Sequence, residues 1–425
     1  MHATVQALLF LSGKKSPPLI KESIKKGPQD NEVGKVFVEK LFARCLDSDL
    51  RILATSFVIF VSVLLLTYPK YLELLSDPNL KTNYSYFFNK VDAPLTASVG
   101  GRETHGAKID FRLTVPLLAK AIGVSGANAK TVVFIYIIQS ALLIPFLFVL
   151  IKLLLQHLSR SSVLPIVLGI STIYLAKAFI WDYDFWFDGF AYFFLLLGLY
   201  FQNRMAIFLT LTLACWTDER SVIALSSIFL FHLLSENNFN IRSVKGFWST
   251  SRWAGRRSNI VLLVAIFYLA SRFFLSDRFG LHTPTGEGSG VELSLIPYQL
   301  KHRLAGVFLS FEGLWILFLI AIAQLLRRGE TLLALAIASI MLIHIVIAYS
   351  VFDITRSMTY GFPLMILAAI IIQKHEFTVS KDIYRGASLI CILLPTQYLI
   401  FFPRQIPWTV CSYDQLEPVI RGLFF

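Results

Sequence analysis

Long uninterrupted apolar blocks are the feature that most constrains how this chain can fold. Residues 331–349, for example, read T-L-L-A-L-A-I-A-S-I-M-L-I-H-I-V-I-A-Y, without a charged side chain. A block of about 20 such residues crosses the hydrocarbon core of a bilayer as a helix, which satisfies its own backbone hydrogen bonds. The blocks lack the alternation that is typical of a β-barrel strand. Only 16% of the residues are charged, so we expect an all-α, polytopic transmembrane helix bundle.

The hydropathy pattern predicts about 11 crossings and divides the chain into three parts. Residues 1–51 form a basic cytoplasmic segment, residues 52–402 the transmembrane domain, and residues 403–425 an outer tail. Two long outer loops, 69–128 and 276–311, each contain a short apolar stretch that is typical of an interfacial helix, 111–124 and 296–308. The predicted crossings are 52–68, 129–151, 163–180, 188–202, 205–217, 220–235, 260–275, 312–326, 331–349, 358–372 and 386–402.

The stretch 205–235 allows two interpretations, because its apolar run is interrupted only by Asp218, Glu219 and Arg220. It is either one very long helix or a helical hairpin with the charges at its tip. Both flanks are basic and therefore cytoplasmic under the positive-inside rule, which requires an even number of crossings between them. We therefore predict the hairpin, with a tip that lies below the outer surface.

The distribution of charge supports this topology. The predicted cytoplasmic segments hold 22 basic and 10 acidic residues, which accounts for the whole formal net charge of +12. The remaining outer and membrane segments are neutral, as the positive-inside rule predicts for a protein with a cytoplasmic N-terminus. The excess of basic residues is explained by the orientation of the protein in the membrane and by contact with anionic lipid headgroups. We therefore do not expect nucleic acid as a partner. We expect an integral membrane protein, more typical of a bacterial inner membrane than of the endoplasmic reticulum.

Four clusters of ionisable residues are predicted at or just under the outer surface, where charge near hydrocarbon is costly and therefore points to function or pairing. The first loop supplies candidate bases and anion binders, the turn W-D-Y-D-F-W-F-D supplies three carboxylates, and the hairpin tip and the segment D-I-T-R-S supply acids beside arginines. The candidates are Glu103, His105, Asp110, Arg112, Asp182, Asp184, Asp188, Asp218, Glu219, Arg220, Asp353 and Arg356, with His302 and Arg303 as a weaker fifth group.

The alternative to a functional role is that the charges of each cluster are solvated or form ion pairs with one another. The carboxylates of Asp182, Asp184 and Asp188 are also oxygen ligands suited to a divalent cation, which makes such an ion a candidate cofactor. Aromatic side chains beside carboxylates equally suit a sugar. The topology places all the charged hairpins on one side, so we expect Glu103, Asp182, Asp218, Arg220 and Arg356 to share one cavity.

Three segments resemble the GT-C superfamily of polytopic membrane glycosyltransferases, in particular its bacterial members. They are R-L-T-V-P-L-L-A (Arg112 to Ala119), W-T-D-E-R-S (Trp216 to Ser221), and D-I-T-R-S followed by Y-G-F-P (Asp353 to Pro363). The likeness covers about residues 50–400 and is mainly architectural. One departure is that the family often has paired acids just after the first crossing, whereas Glu73 and Asp77 stand singly here.

The resemblance implies transfer of a sugar from a polyprenyl-phosphate donor to an acceptor on the non-cytoplasmic face, with a carboxylate as base. Glu103, Asp110, Asp182 and Asp184 are then the candidate bases, and Arg220, Arg356 and Arg112 would hold the donor phosphate. Its partners would be a lipid-linked sugar and membrane lipids. The alternatives are a transporter or flippase of a lipid-linked or anionic solute, a polysaccharide polymerase or ligase, and a non-catalytic partner in a glycosylation complex.

Overall fold

The computed structural model describes residues 41–67, 69–76, 84–97, 107, 109–124, 129–182, 184–237, 239, 256–283, 291–374, 382–394, 397–399 and 403–405. These residues are overwhelmingly helical, which agrees with the predicted all-α bundle. From Phe42 onward they belong to one compact unit. Residues 1–40 of the predicted N-terminal segment fall outside the described residues, as does most of the outer tail.

In the first half of the chain, a helical stretch at 41–45 is followed by ten helices whose bounds lie within the described ranges. They are α1 (Asp49–Leu66), α2 (Glu73–Ser76), α3 (Tyr84–Asp92), α4 (Thr114–Ala121), α5 (Ala129–Ala141), α6 (Leu143–Leu155), α7 (Arg160–Thr172), α8 (Tyr174–Trp181), α9 (Asp188–Tyr200) and α10 (Arg204–Thr217). A 3₁₀ turn, Lys70–Leu72, precedes α2.

The second half continues with α11 (Arg220–Glu236), α12 (Arg257–Phe279), α13 (Leu295–Arg303), α14 (Ala305–Phe311), α15 (Leu314–Arg327), α16 (Thr331–Tyr349), α17 (Ile354–Thr359), α18 (Phe362–Lys374) and α19 (Asp382–Leu393). Two short strands follow, β1 (Gln397–Leu399) and β2 (Pro403–Gln405), which pair in antiparallel fashion.

Four helical segments in the described residues are long and apolar enough to cross a membrane: α1, α5 together with α6, α12 and α16. Two bent pairs, α7 with α8 and α14 with α15, raise the number to six. Helices α9, α10 and α18 are apolar but have only 13 or 14 residues, or roughly 20 Å of helix against a hydrocarbon core of about 30 Å. The architecture is compatible with a multi-pass membrane protein, and the number of eleven crossings stays a prediction.

The predicted hairpin at 205–235 is present. Helix α10 ends at Thr217, helix α11 begins at Arg220, and the two pack against each other. Asp218 makes the break locally favourable, because its carboxylate accepts a hydrogen bond from the backbone N–H of Arg220 at the start of α11.

One predicted crossing is a broken helix, and another begins at a sharp bend. The predicted helix 163–180 bends by 49° at Ile173, between α7 and α8. There the Ser171 and Thr172 hydroxyls donate to the backbone carbonyls of Leu168 and Gly169, a local alternative that often bends a helix. The helix predicted at 312–326 begins after a 92° bend between α14 and α15, where Glu312 has a positive φ of 46°.

The predicted last crossing, 386–402, is wrong in its second half. Helix α19 ends at Leu393, and residues 397–399 and 403–405 then pair as strands β1 and β2. Pro395 explains the stop, since proline disfavours helical backbone in the residue before it and has no N–H to donate. The apolar run Y-L-I-F-F (398–402) that suggested helix suits an extended strand equally well.

Helix α18 lies at the centre of the bundle. All its residues from Phe362 to Ile372 are buried, and it packs against α15 and α11. A helix that is apolar on every side is expected in such a central position. The short helix α17 precedes it and is also wholly buried, so the residues of α17 are held against the middle of the protein.

Candidate functional site

Six charged side chains from four separate segments meet in one buried network, which we call the Asp/Arg centre. One comes from the turn before α4, one from the start of α9, two from the tip of the α10–α11 hairpin, and two from the start of α17. They are Arg112, Asp188, Asp218, Arg220, Asp353 and Arg356. The structure thus brings together most of the charged clusters that the sequence predicted on one side of the bundle.

Asp218 is the hub of the centre. Its fully buried Oδ2 lies 3.2 Å from Nη2 of Arg112, 3.3 Å from Nη1 of Arg220 and 2.9 Å from Nη2 of Arg356. Burial alone would raise the pKa of Asp218, but the charges of these arginines outweigh it and lower the pKa to about 2. The carboxylate is therefore ionised at every physiological pH.

Arg356 uses all three guanidinium nitrogens on three different aspartates. Its Nε contacts Asp188, its Nη2 contacts Asp218, and its Nη1 lies 3.1 Å from Asp353. Only the planar fork of arginine can make such a set of contacts. The guanidinium also lies over the indole of Trp186, with Cζ 4.8 Å from the ring centroid, an arrangement that adds a cation–π interaction.

Two tyrosine hydroxyls complete the surroundings of Asp188. Tyr360 donates to Oδ1 at 2.8 Å and Tyr174 to Oδ2 at 3.2 Å. Both rings are buried, as is Tyr192, whose hydroxyl donates to the backbone carbonyl of Arg356. Asp188 is therefore closed off, with its two oxygens used by arginine and tyrosine.

The open edge of the centre is formed by Arg220, Asp353 and Glu219. Nη2 of Arg220 contacts both oxygens of Asp353, at 2.9 and 2.8 Å, and the two side chains are 13% and 15% exposed. Glu219 is 33% exposed, and its Oε2 lies 4.0 Å from Nε of Arg112. Of the carboxylates that take part in these contacts, Glu219 is the most accessible and the most loosely held.

Asp182 shapes the turn that leads into α9. Its carboxylate accepts hydrogen bonds from the backbone N–H groups of Asp184 and Phe187, at 3.1 and 2.7 Å, and from the amide of Gln139. Burial and the nearby charge of Asp188 raise the pKa of Asp182 to about 6. The carboxylate is buried and holds the backbone of the turn, in which Phe185 and Phe187 have positive φ, and its role as a base stays a prediction.

The cation site suggested by Asp182, Asp184 and Asp188 is not formed. Asp182 contacts backbone N–H groups, Asp184 is joined to it through its own N–H, and Asp188 contacts Arg356 and two tyrosines. Across the part of the chain that the structure describes, no group of three His, Cys, Asp or Glu side chains is arranged to hold a metal ion.

Asp110 lies in a second cluster beside the centre. Its fully buried carboxylate is 3.3 Å from Nζ of Lys90 and accepts the backbone N–H of His282 at 2.9 Å, which ties the first long loop to the beginning of the second. Burial lowers the pKa of Lys90, and the charge of Asp110 opposes this. Asp110 was predicted as a base, but here its carboxylate joins two loops.

The remaining predicted residues lie elsewhere. His302 contacts Tyr298 of its own helix, with ring centroids 4.7 Å apart and the planes tilted by 43°, and Arg303 lies over the same ring. Glu103 and His105 fall outside the described residues, so their roles stay predictions.

Two tyrosines beside the Asp/Arg centre and an arginine outside its ion pairs were not predicted from the sequence. Tyr174 and Tyr192 were not among the candidates, although a tyrosine in a buried helix needs a partner for its hydroxyl. Arg272 is the single charged residue of the apolar block 260–275, a signal that could have identified it.

No model of a known protein family, no curated protein and no solved structure matches this chain. The chemistry of the Asp/Arg centre is therefore argued from its own residues.

Proposed function

We propose that the protein is a membrane glycosyltransferase that transfers a sugar from a polyprenyl-phosphate donor to an acceptor hydroxyl at the Asp/Arg centre. The observation that carries this proposal is the convergence of three arginines with an accessible glutamate at the edge of one buried network. Arginine binds phosphate through paired hydrogen bonds, and a carboxylate can take the proton of an attacking hydroxyl.

Arg220 is the proposed phosphate ligand, because it is the arginine of the centre with the greatest side-chain exposure among the ion pairs described. An incoming phosphate would replace part of its contact with Asp353. Arg112, beside Glu219, would stabilise the charge that develops on the leaving phosphate. Arg356 would hold the surrounding aspartates in place.

Glu219 is the proposed base. In the reaction, the acceptor oxygen forms a bond to the anomeric carbon and its proton passes to the Glu219 carboxylate. The bond from the anomeric carbon to the phosphate oxygen breaks, and the lipid phosphate leaves with the electron pair. Asp218 and Asp188 are fully committed to arginines and tyrosines, which leaves Glu219 as the available acid. Glu103 remains an alternative from the sequence.

The test is sugar transfer by the purified full-length protein in nanodiscs, supplied with polyprenyl-phosphate sugars and candidate acceptors. Glu219→Gln should lower the transfer rate by about 10²-fold or more, as expected for loss of a general base, while the donor still binds. Arg220→Gln should weaken donor binding. The matched control is Glu330→Gln, since Glu330 precedes α16 at the end of that helix remote from Asp353. Equal transfer by wild type, Glu219→Gln and Arg220→Gln would reject the proposal.

A transporter is the second candidate, and one observation favours it. The two bent helix pairs carry Lys177 in α8 and Glu312 at the 92° bend, both buried and electrostatically coupled. Broken helices with buried charge are typical of transporter sites. Uptake of a lipid-linked or anionic solute into proteoliposomes, without any transfer product, would support this candidate over the enzyme.

A further inference from the structure

Arg272 places a guanidinium within an apolar candidate span. Helix α12 runs from Arg257 to Phe279, so Arg272 lies seven residues before its end, or about 10 Å along the helix axis. A charge at this depth is costly unless a partner compensates for it.

The neighbours of Arg272 are aromatic. Its Cζ lies 4.3 Å from the centroid of the Phe111 ring, and its Nη1 donates to the hydroxyl of Tyr268 at 2.8 Å. Trp216 packs against both rings, with centroid distances of 6.2 Å to Phe111 and 5.0 Å to Tyr268. Among the described residues no carboxylate forms an ion pair with Arg272, so its charge is oriented by these rings without being neutralised.

Exposed apolar side chains lie next to Arg272 on the same helix. Leu269 and Phe273, on the same helix, are 60% and 77% exposed. Residues three or four apart on a helix are neighbours, so Leu269 lies beside both Arg272 and Phe273. The guanidinium therefore lies between the aromatic rings of Phe111 and Tyr268 and an exposed apolar surface of α12 that suits lipid acyl chains.

We propose that Arg272 binds the phosphate of an anionic membrane lipid, whose acyl chains lie along Leu269 and Phe273. The guanidinium fork matches phosphate oxygens, the Phe111 and Tyr268 rings fix its plane, and the exposed apolar side chains provide the lipid contact. This site is separate from the ion pairs of the Asp/Arg centre and does not depend on the transfer reaction.

The site is nevertheless next to the centre along the chain. Phe111 is followed by Arg112, and Trp216 precedes Asp218 by two residues. Binding of a lipid phosphate at Arg272 would thus stabilise the segments of Phe111 and Trp216, which bring Arg112 and Asp218 together.

The experiment uses the full-length protein in nanodiscs of phosphatidylglycerol and phosphatidylcholine in equal amounts, with bound lipid measured by native mass spectrometry. Wild type should retain phosphatidylglycerol at least fivefold over phosphatidylcholine. Arg272→Gln should abolish this preference, and Arg272→Lys should keep part of it, because lysine preserves the charge without the fork. The control is Arg278→Gln, an exposed arginine of the last turn of the same helix.

Equal retention of the two lipids by wild type would overturn the proposal without reference to any variant, so a folding defect in Arg272→Gln cannot obscure the result. An unchanged preference in a folded Arg272→Gln protein would also overturn it. A third arm adds inorganic phosphate at millimolar concentration. Displacement of the lipid by the free ion would overturn the lipid assignment, whereas retention of the lipid supports it.

Discussion

Oδ2 of Asp218 lies 2.9 Å from Nη2 of Arg356, although the two residues are 138 positions apart in the chain. The same oxygen also contacts Arg112 and Arg220. One carboxylate thus joins the turn before α4, the hairpin tip and helix α17, and the arrangement of the candidate site depends on it.

Replacement of this carboxylate should be strongly destabilising. Asp218→Asn leaves three buried arginines without their shared counter-charge, and breaking a buried pair in this way costs about 3–5 kcal/mol. We expect a clear fall in the thermal midpoint of the purified protein. The matched control is Asp277→Asn, which changes an exposed acid near the end of α12. Equal midpoints for the two variants would contradict the hub role of Asp218.

The sequence located the segments of the site but could not give its pairings. The charges at Asp218, Glu219 and Arg220 interrupt an apolar run, and the basic flanks of that run correctly predicted a hairpin rather than one long helix. Which arginine meets which aspartate depends on how the helices pack, and a one-dimensional pattern does not contain that information. The acids of the 182–188 turn illustrate the point, because three similar carboxylates have three different environments.

The bends at Ile173 and Glu312 could not be predicted from hydropathy for a related reason. Ile173 follows two hydroxyl side chains, Ser171 and Thr172, and Glu312 is followed by Gly313, but no proline lies next to either position. At Ile173 local hydroxyl groups compete for backbone carbonyls, and at Glu312 the neighbouring helix α19 approaches very closely. Hydropathy averages over such effects, so it predicted one continuous crossing at 163–180, and at 312 it predicted the start of a crossing but not the bend before it.

That close approach gives a second prediction, at Gly313. A Cβ added there would lie 1.9 Å from the backbone oxygen of Ala387, too close to be accommodated without a shift of α19. Gly313→Ala should therefore destabilise the protein by about 1–3 kcal/mol or more, as overpacking does.

The control for this variant lies on the other helix of the same contact. A Cβ at Gly386 meets nothing within 4 Å, and alanine improves helix propensity by roughly 1 kcal/mol. Gly386→Ala should have the same or a higher thermal midpoint than wild type. If Gly313→Ala behaves like Gly386→Ala, helices α15 and α19 do not meet as described.

A third prediction concerns pH and Asp182. Its pKa of about 6 in the folded protein exceeds the ordinary value of 3.8, so the folded state binds the proton more tightly than the unfolded chain. The contribution of Asp182 to stability is greatest below about pH 4, falls as pH rises towards 6, and is constant above that. Two pKa units correspond to about 3 kcal/mol.

Asp182→Asn removes this titration. It also lowers the unfolding free energy by an amount that does not depend on pH, because the amide accepts fewer hydrogen bonds from the backbone N–H groups. The difference in unfolding free energy between wild type and variant should therefore change between pH 4 and 6 and level off above pH 6. Thermal midpoints measured in detergent over this range test the prediction. Parallel curves for the two proteins would show that Asp182 does not titrate there.

The most direct test of the central claim, that distant segments form one Asp/Arg centre, is a double-mutant cycle on Arg220 and Asp353. These side chains are in contact at 2.8 Å across 133 residues of sequence. The unfolding free energies of Arg220→Gln, Asp353→Asn and the double variant give their coupling. Contacting pairs couple by about 0.5–3 kcal/mol, and we predict at least about 1 kcal/mol here. Additive effects, within about 0.3 kcal/mol, would contradict the account.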